Sequence, residues 1–257
     1  MTLVYFYHES NLQNKIDNNY KRRVSVFSRF KLRKYDIYKR KQLAITGITK
    51  EKIAQKVDLL SNYLQEIDRL NSSNWITAQS KFRPTVLEEF CGFLFKDLPE
   101  LTSLGLEFFN KKIYSGLALN NHGHPLFKTK DVDFCIAKEV QTDFGEIKTD
   151  LRIPIVAIEC KTYLDKTMFN ESQFTAQKLK QGSPNVKVYV VSEENQIDLD
   201  EIPSKGQTPI DQVFIIRNER GNIDSDAVYE FFLEVKDGIN KATKQSVFNL
   251  KGKLLPE

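Results

Sequence analysis

An acidic and a basic residue follow the most apolar stretch of the sequence. The segment 154–163, PIVAIECKTY, begins like a core strand, and Glu159 and Lys161 end its apolar run with Cys160 between them. Because side chains alternate across a strand, Glu159 and Lys161 point to one face, whereas Ile158 and Cys160 point into the packed layer. A buried carboxylate needs a compensating cation. Lys161 or a divalent metal ion can supply it.

A second carboxylate is available 26 residues earlier, in the segment KTKDVDFCIA (128–137). The pattern predicts that Asp131 and Asp133 lie on one face of a strand, with Asp133 deeper because it adjoins the apolar stretch. The spacing allows the chain to turn back into a neighbouring antiparallel strand. We therefore predict that Asp133, Glu159 and Lys161 meet at the end of two paired strands.

Two carboxylates beside a lysine suit metal-dependent hydrolysis of phosphodiester bonds. The oxygen atoms of Asp133 and Glu159, with the main-chain carbonyl of Cys160, are the hard ligands that Mg²⁺ prefers. Mg²⁺ lowers the pKa of an attacking water and neutralises the charge that develops on the phosphate. Lys161 would stabilise hydroxide or contact a phosphate oxygen. The alternative is an ordinary exposed strand face, because Glu-x-Lys occurs by chance in most proteins.

Positive charge is concentrated in one N-terminal segment. The chain has a net charge of +4, whereas residues 21–41 contain ten basic residues and one acidic residue, Asp36. Aromatic residues are interleaved with them, and planar groups in a positive field suit a polyanion. The alternative is a solvated helix face or a linker. We predict that nucleic acid binds to Lys21, Arg22, Arg23, Arg29, Lys31, Arg33, Lys34, Lys39, Arg40 and Lys41.

Hydrophobic periodicity predicts the elements that position these residues. Apolar steps of three and four predict a capped helix from Thr49 to Leu70, and a second helix is expected from Pro84 to about Asp97. The remaining pattern predicts an α/β protein whose sheet is flanked by helices. We divide it into a basic helical N-terminal region (1–78) and a catalytic α/β core (79–257). Strands are expected in 106–119, 131–137, 153–160, 186–192 and 212–217, and further helices in 171–181 and 226–239.

Composition argues against several classes of protein. Hydrophobic residues make up 40% of the 257 residues, which is enough for a core. No apolar run approaches the ~18 residues that cross a membrane. The start lacks a basic leader, so a cytoplasmic location is expected. Cys91, Cys135 and Cys160 are odd in number and lack CxxC spacing, which indicates buried thiols in a reducing compartment.

Two further pairs of residues are candidates for secondary roles. His122 and His124 have an HxH spacing, but no cysteine pair lies near them in the sequence. A surface turn or a DNA-contacting loop is therefore favoured over a zinc site. Gln173 and Gln177, on the helix that follows the Glu159 strand, would either orient the site or lie on an exposed helix face.

The sequence resembles the PD-(D/E)xK nuclease superfamily, and more closely the type II restriction endonuclease subunits of the BbvCI and DdeI kind. The resemblance implies a central mixed sheet flanked by helices, with Asp133, Glu159 and Lys161 as catalytic residues. It adds an auxiliary helix acid, for which Glu88 is preferred and Glu89 is the fallback. Val132 replaces the proline of the motif. The segments that carry the resemblance are 83–95, 130–137, 153–165, 168–180, 188–193 and 213–220.

The same resemblance implies Mg²⁺-dependent cleavage of double-stranded DNA at a short site with a CTNAG core. Each active site would cut one strand, so a dimer is expected, either of identical chains or with a related subunit. The basic segment is the first candidate for phosphate and groove contacts, and the loop after Asn195 is the second. The alternatives are a DNA-binding subunit without a cutting role and a repair or junction nuclease of the same fold.

Overall fold

A mixed sheet with helices on both faces forms the centre of the protein. The computed structural model describes residues 6–72, 82–144, 147–204 and 206–243, and within them the sheet has seven strands. The strands are β1 (Glu107–Phe109), β2 (Ile113–Leu119), β3 (Pro125–Lys130), β4 (Phe134–Phe144), β5 (Ile147–Leu164), β6 (Lys187–Asn195) and β7 (Gln212–Ile215). The helices are α1 (Tyr7–Asp17), α2 (Val24–Phe30), α3 (Asp36–Ala44), α4 (Lys50–Ser72), α5 (Pro84–Phe95), α6 (Pro99–Leu104), α7 (Lys166–Gly182) and α8 (Ser225–Thr243).

Strand β5 is the central strand, and its two edges have different partners. It pairs antiparallel with β4 along one edge, and parallel with β6 along the other from Val156 to Leu164. The pairing with β4 ends at Phe134, which lies opposite Ile158. Because β5 continues beyond this point, the edge of Glu159 and Lys161 is not covered by β4. The predicted mixed sheet with flanking helices is confirmed.

The two faces of β5 have different partners. Ile158 and Cys160 lie in a large buried cluster with residues of α5 and α8, whereas Ala157 packs with residues of α7. The alternation predicted around Glu159 is therefore confirmed. All three cysteines are buried and free, also as predicted.

The predicted helices and strands are largely confirmed, but the region before β4 differs. The strand expected in 106–119 is two strands, because Lys112 adopts a left-handed conformation (φ 55°) in the turn between them. β3 was not predicted; it pairs with β2 as a hairpin.

The prediction that Asp131 and Asp133 lie on a strand was wrong. Both residues precede β4, and the Asp131 carboxylate accepts the Lys112 backbone N–H (3.0 Å). The backbone N–H of Val132 donates to the Asn110 carbonyl (2.9 Å). These two bonds hold residues 131–133 against the β1–β2 turn, so the segment enters β4 at an angle that alternation alone does not predict.

Helix α5 is buried on every side. The sheet lies on one side of it and the N-terminal helices α1 and α4 lie on the other, so the helix has no exposed face. The N-terminal helices share one continuous hydrophobic cluster with α5 and α8. Within the described ranges, no helix has both the length and the apolar character needed to cross a membrane.

A buried polar network connects α5 to the N-terminal helices. The His8 ring is within hydrogen-bonding distance of the Thr85 hydroxyl (3.0 Å) and the Tyr63 hydroxyl (2.7 Å). The Glu89 carboxylate accepts the Tyr35 hydroxyl (2.9 Å) and the backbone N–H of Glu9 (3.1 Å). Burial raises the pKa of Glu89 to about 8, although these donors oppose the increase. Burial also lowers the pKa of His8 to about 3.

Replacing Glu89 with glutamine should flatten the dependence of stability on pH. An acid whose pKa is raised in the folded state stabilises the fold below its unfolded pKa, and this contribution is lost as the pH rises through about 8. We expect the melting temperature of the wild type to fall by several degrees between about pH 5 and pH 9, and that of Glu89→Gln to fall less. The exposed control Glu230→Gln should follow the wild type. Parallel curves for all three proteins would contradict the prediction.

Candidate active site

Asp133, Glu159 and Lys161 meet at the open edge of β5. The Lys161 ammonium donates to Glu159 Oε2 at 2.8 Å and to Asp133 Oδ2 at 3.2 Å. The same Asp133 oxygen accepts the backbone N–H of Cys160 at 2.9 Å. One ammonium therefore lies between two carboxylates that come from different segments of the chain.

The end of β4 explains why Asp133 can make these contacts. The N–H of Cys160 points to the edge that β4 would cover if it continued, and Asp133 takes the place of a strand partner there. In an extended strand the N–H and C=O of one residue point to the same side. The carbonyl of Cys160 therefore lies on the Asp133 side of β5, as the sequence analysis requires of a metal ligand.

The electrostatics of the three groups depend on one another. Glu159 is only 8% exposed, and burial raises the pKa of its carboxyl; the charge on Asp133 raises it further, whereas Lys161 lowers it. Burial alone would lower the pKa of Lys161, but the carboxylates of Asp133 and Glu159 outweigh burial and raise it. The lysine therefore stays protonated, and the two acids remain in need of positive charge.

The two adjacent acids of α5 lie in different surroundings. Glu88 lines the cleft that contains Asp133, Glu159 and Lys161. Glu89 belongs to the buried network with Tyr35 and is 1% exposed. Consecutive residues of a helix are about 100° apart around its axis, so one faces the cleft while the other faces the N-terminal helices. The geometry favours Glu88, not the fallback Glu89, as the auxiliary acid.

A cleft of about 840 Å³ opens beside these residues. One wall is a single face of α7, formed by Thr167, Asn170, Glu171 and Phe174, and Lys130 at the end of β3 lies near Phe174. The spacing of three and four between these α7 residues is the signal that sequence reasoning overlooked.

The site-orienting role considered for Gln173 and Gln177 is not supported. Neither residue lines the cleft, and the side-chain amide of Gln173 donates to the Thr208 hydroxyl (3.2 Å), in the loop before β7. Gln177 lies on the exposed face of α7, as the alternative interpretation expected. His122 and His124 lie in the exposed turn between β2 and β3, which confirms the surface turn.

The basic N-terminal segment is helical and its aromatic residues are not available to a ligand. Phe27, Phe30, Tyr35 and Tyr38 are buried in the core, so the expectation that planar groups of this segment face a polyanion was wrong for these four. These aromatic residues alternate with basic residues because the helical segment has one buried and one exposed face. Eight of the ten basic side chains are exposed: Lys21, Arg22, Arg23, Arg29, Arg33, Lys34, Arg40 and Lys41.

The two remaining basic residues of the segment are half-buried and form ion pairs. Lys31 and Lys39 both pair with Glu9 of α1, at 3.3 and 2.6 Å. Their positive charge is partly neutralised within the protein. They are therefore weaker candidates for contacts with nucleic acid than the exposed members of the segment, except for Lys34, which pairs with Glu66 of α4 at 2.9 Å.

The donor set at the edge of β5 fits Mg²⁺. Asp133, Glu159 and the Cys160 carbonyl offer only oxygen atoms, and Mg²⁺ is usually bound by one or two carboxylates while it keeps several waters. In the part of the chain that the structure describes, no group of three or more His, Cys, Asp or Glu side chains is arranged to hold a metal ion. The side chains present therefore suit a partly hydrated ion more than an all-protein cage.

The fold is that of a restriction endonuclease. A family model described as Bpu10I restriction endonuclease matches residues 79–235, so the chain belongs to this family. A chain of the "native BbvCI A2B2 tetramer at low resolution" superposes with a TM-score of 0.77 and 16% sequence identity, covering 95% of this chain and 99% of that chain. No curated protein matches the sequence. Membership of this restriction endonuclease family makes the chain a DNA endonuclease, and its fold is like that of the BbvCI chain.

Replacing Glu159 with glutamine should separate metal binding from folding. The substitution removes a buried carboxylate whose ionised form is disfavoured by burial and by Asp133, while Lys161 keeps Asp133 as its partner. We expect the melting temperature without metal to be equal to or higher than that of the wild type, and the stabilisation by added Mg²⁺ to be lost. Differential scanning fluorimetry with and without Mg²⁺ measures both. An unchanged Mg²⁺ shift in Glu159→Gln would remove this residue from the metal site.

Proposed function

We propose that this subunit hydrolyses DNA phosphodiester bonds with Mg²⁺ at a short site containing CTNAG. The observation that carries the proposal is the Lys161 ammonium held between Asp133 and Glu159 at an open cleft. Two acids and a lysine from separate segments have no need to converge there for the sake of the fold. Their convergence has a chemical use if a metal ion and a phosphate share the site.

Each residue has a role that follows from its position. Asp133, Glu159 and the carbonyl of Cys160 would hold Mg²⁺, which supplies activation of the attacking water and neutralisation of charge on the phosphate. Lys161, which remains protonated, donates to a phosphate oxygen or stabilises the attacking hydroxide. Glu88, in the same cleft, accepts a proton from a water or orients it.

The partners proposed for the chain are double-stranded DNA and a second subunit. One active site per chain cuts one strand, so cleavage of both strands requires two chains. The structural neighbour is described as an A2B2 tetramer, which supports assembly with an identical or related subunit. The alternatives are a DNA-binding subunit that does not cut and a repair or junction nuclease of the same fold. Each would give a different outcome in the experiment below.

Incubation of the purified chain with plasmid DNA and Mg²⁺ tests the proposal. Discrete double-strand fragments would support a site-specific endonuclease, and nicked circles would support one half of a heterodimer. Retarded but uncut DNA would leave only a binding subunit. Cleavage without preferred positions, or only of branched DNA, would support a nuclease of another role. Sequencing of the fragment ends shows whether the cut sites contain CTNAG.

Replacing Lys161 with methionine should abolish cutting without abolishing DNA binding. Loss of one donor to the developing charge lowers the cleavage rate by about 100-fold or more. Methionine is preferable to glutamate, because a third carboxylate beside Asp133 and Glu159 would repel both. Lys148→Met, on a lysine side chain that is 82% exposed near the opposite end of β5, is the matched control. A Lys161→Met protein that cuts at the wild-type rate would exclude the lysine from the mechanism.

The exposed basic residues should determine the dependence of DNA binding on salt. The logarithm of the DNA-binding constant K falls linearly with the logarithm of the salt concentration, and each lost phosphate contact makes this slope less steep by about one. We expect the double variant Arg33→Ala/Arg40→Ala to have a slope that is less steep by about two, because both side chains are exposed. Fluorescence anisotropy with a labelled duplex measures it. A slope equal to that of the control Lys148→Ala would place the DNA elsewhere.

A further inference from the structure

A large aromatic side chain is exposed at the active-site cleft. Phe174 of α7 lines the cleft and is 53% exposed, although residues that follow it on α7, such as Ala176 and Leu179, are buried against the sheet. These buried neighbours fix the orientation of the helix, so the ring is presented to the cleft by a rigid element. Single exposed apolar side chains are common on protein surfaces, but this one lies at a fixed position in the cleft of Asp133, Glu159 and Lys161, where it is available to a ligand bound there.

Two lysine side chains lie next to the exposed ring. Lys130 Nζ is 5.8 Å from the centre of the Phe174 ring, and Lys178 Nζ is 5.3 Å from it. Lys130 belongs to β3 and Lys178 to α7, so the two ammonium groups come from different elements. The cluster therefore combines a planar apolar surface with two positive charges.

The cluster is close to the catalytic residues. Lys130 and Phe174 line the same cleft as Asp133, Glu159 and Lys161. The ammonium of Lys130 is also near enough to Glu159 to favour its ionised form. A DNA strand whose phosphate is bound at Lys161 would therefore place its neighbouring nucleotide beside this cluster.

We infer that Phe174, Lys130 and Lys178 form a subsite for the nucleotide next to the scissile phosphate. In this subsite Phe174 contacts the base or the deoxyribose, and the two lysines hold the flanking phosphates. The inference rests on the proposed function, because it assigns a ligand to the same cleft. It extends the DNA-binding surface from the basic N-terminal segment to α7 and β3, residues to which the catalytic motif gives no role.

The chemistry of the cluster favours DNA over an apolar protein partner. A protein surface that covered Phe174 would also bury two ammonium groups, and an unpaired buried charge is costly. A DNA strand offers an apolar deoxyribose or base edge and a phosphate within one nucleotide, so it satisfies the ring and the lysines together. Contacts with the deoxyribose and the phosphates carry no sequence information, so this subsite would hold the strand and leave base recognition to other residues.

Substitutions of Phe174 test the subsite in the full-length protein without metal. A labelled duplex with a CTNAG core is the probe, and fluorescence anisotropy gives its affinity. We expect Phe174→Ala and Phe174→Leu to bind about tenfold more weakly, because the planar surface is lost, and Phe174→Tyr to bind like the wild type. Lys130→Ala and Lys178→Ala should each lower the salt slope by about one, whereas Lys148→Ala should not. Melting temperatures check that each variant is folded.

Photo-crosslinking gives a second readout that does not depend on cleavage. DNA with 5-iodouracil beside the cleaved position should crosslink to the α7 peptide that contains Phe174, and Phe174→Leu should lose the crosslink. Wild-type affinity for Phe174→Ala and Phe174→Leu, or a crosslink elsewhere, would overturn the subsite. A change in sedimentation behaviour of Phe174→Ala with unchanged DNA affinity would overturn it in favour of a contact between subunits.

The failure of the subsite can be distinguished from the failure of the proposed function. If the wild type cuts plasmid DNA and the Phe174 variants bind normally, only the subsite is wrong. If the wild type binds the duplex but never cuts, the catalytic proposal fails and the binding data still decide the subsite. If the wild type does not bind DNA at all, both proposals are wrong.

Discussion

The site depends on the compensation of a buried carboxylate, Glu159, and a partly buried one, Asp133, by one ammonium group. Glu159 is nearly inaccessible to water, and Asp133 adds a like charge at short range, so the pair is stable only beside a cation. Lys161 provides it from the same strand as Glu159, two residues further on. One lysine only partly neutralises the two carboxylates. The remaining negative charge can attract a divalent ion.

The fold maintains this arrangement by ending one strand before its neighbour. β4 begins opposite Ile158, and β5 continues past it, so the backbone of Cys160 bonds to the Asp133 side chain in place of a strand partner. Extension of β4 by two residues would cover the edge and remove the cleft. The open edge is therefore a consequence of sheet register, which the antiparallel pairing of β4 with β5 fixes along eleven residue pairs.

Helix α5 connects the open edge of β5 to the N-terminal helices. Because it is buried on every side, its two adjacent acids serve different surroundings: Glu88 in the cleft and Glu89 in a network with Tyr35 and the Glu9 backbone. The two faces of the N-terminal helices also have different roles. Their aromatic residues secure them to α5, and their exposed basic residues remain free of the core. The positive surface is thus held rigidly against the helix that carries Glu88.

Sequence alone determined the features that depend on local periodicity. Alternation in PIVAIECK was enough to place Glu159 and Lys161 on one face, and the apolar stripes of α4, α5 and α8 were enough to locate these helices. Side-chain direction along a strand or helix repeats with a fixed period, so it can be read from neighbouring residues.

Tertiary structure decided the features that depend on distant contacts. The contacts of residues 131–133 with the β1–β2 turn place Asp133 before its strand, and the end of β4 opens the edge beside Glu159. Packing also chose between Glu88 and Glu89, buried the aromatic residues of the basic segment and exposed Phe174. Each outcome depends on which surfaces meet after folding, and residues far apart in the chain set these contacts, so no local pattern encodes them.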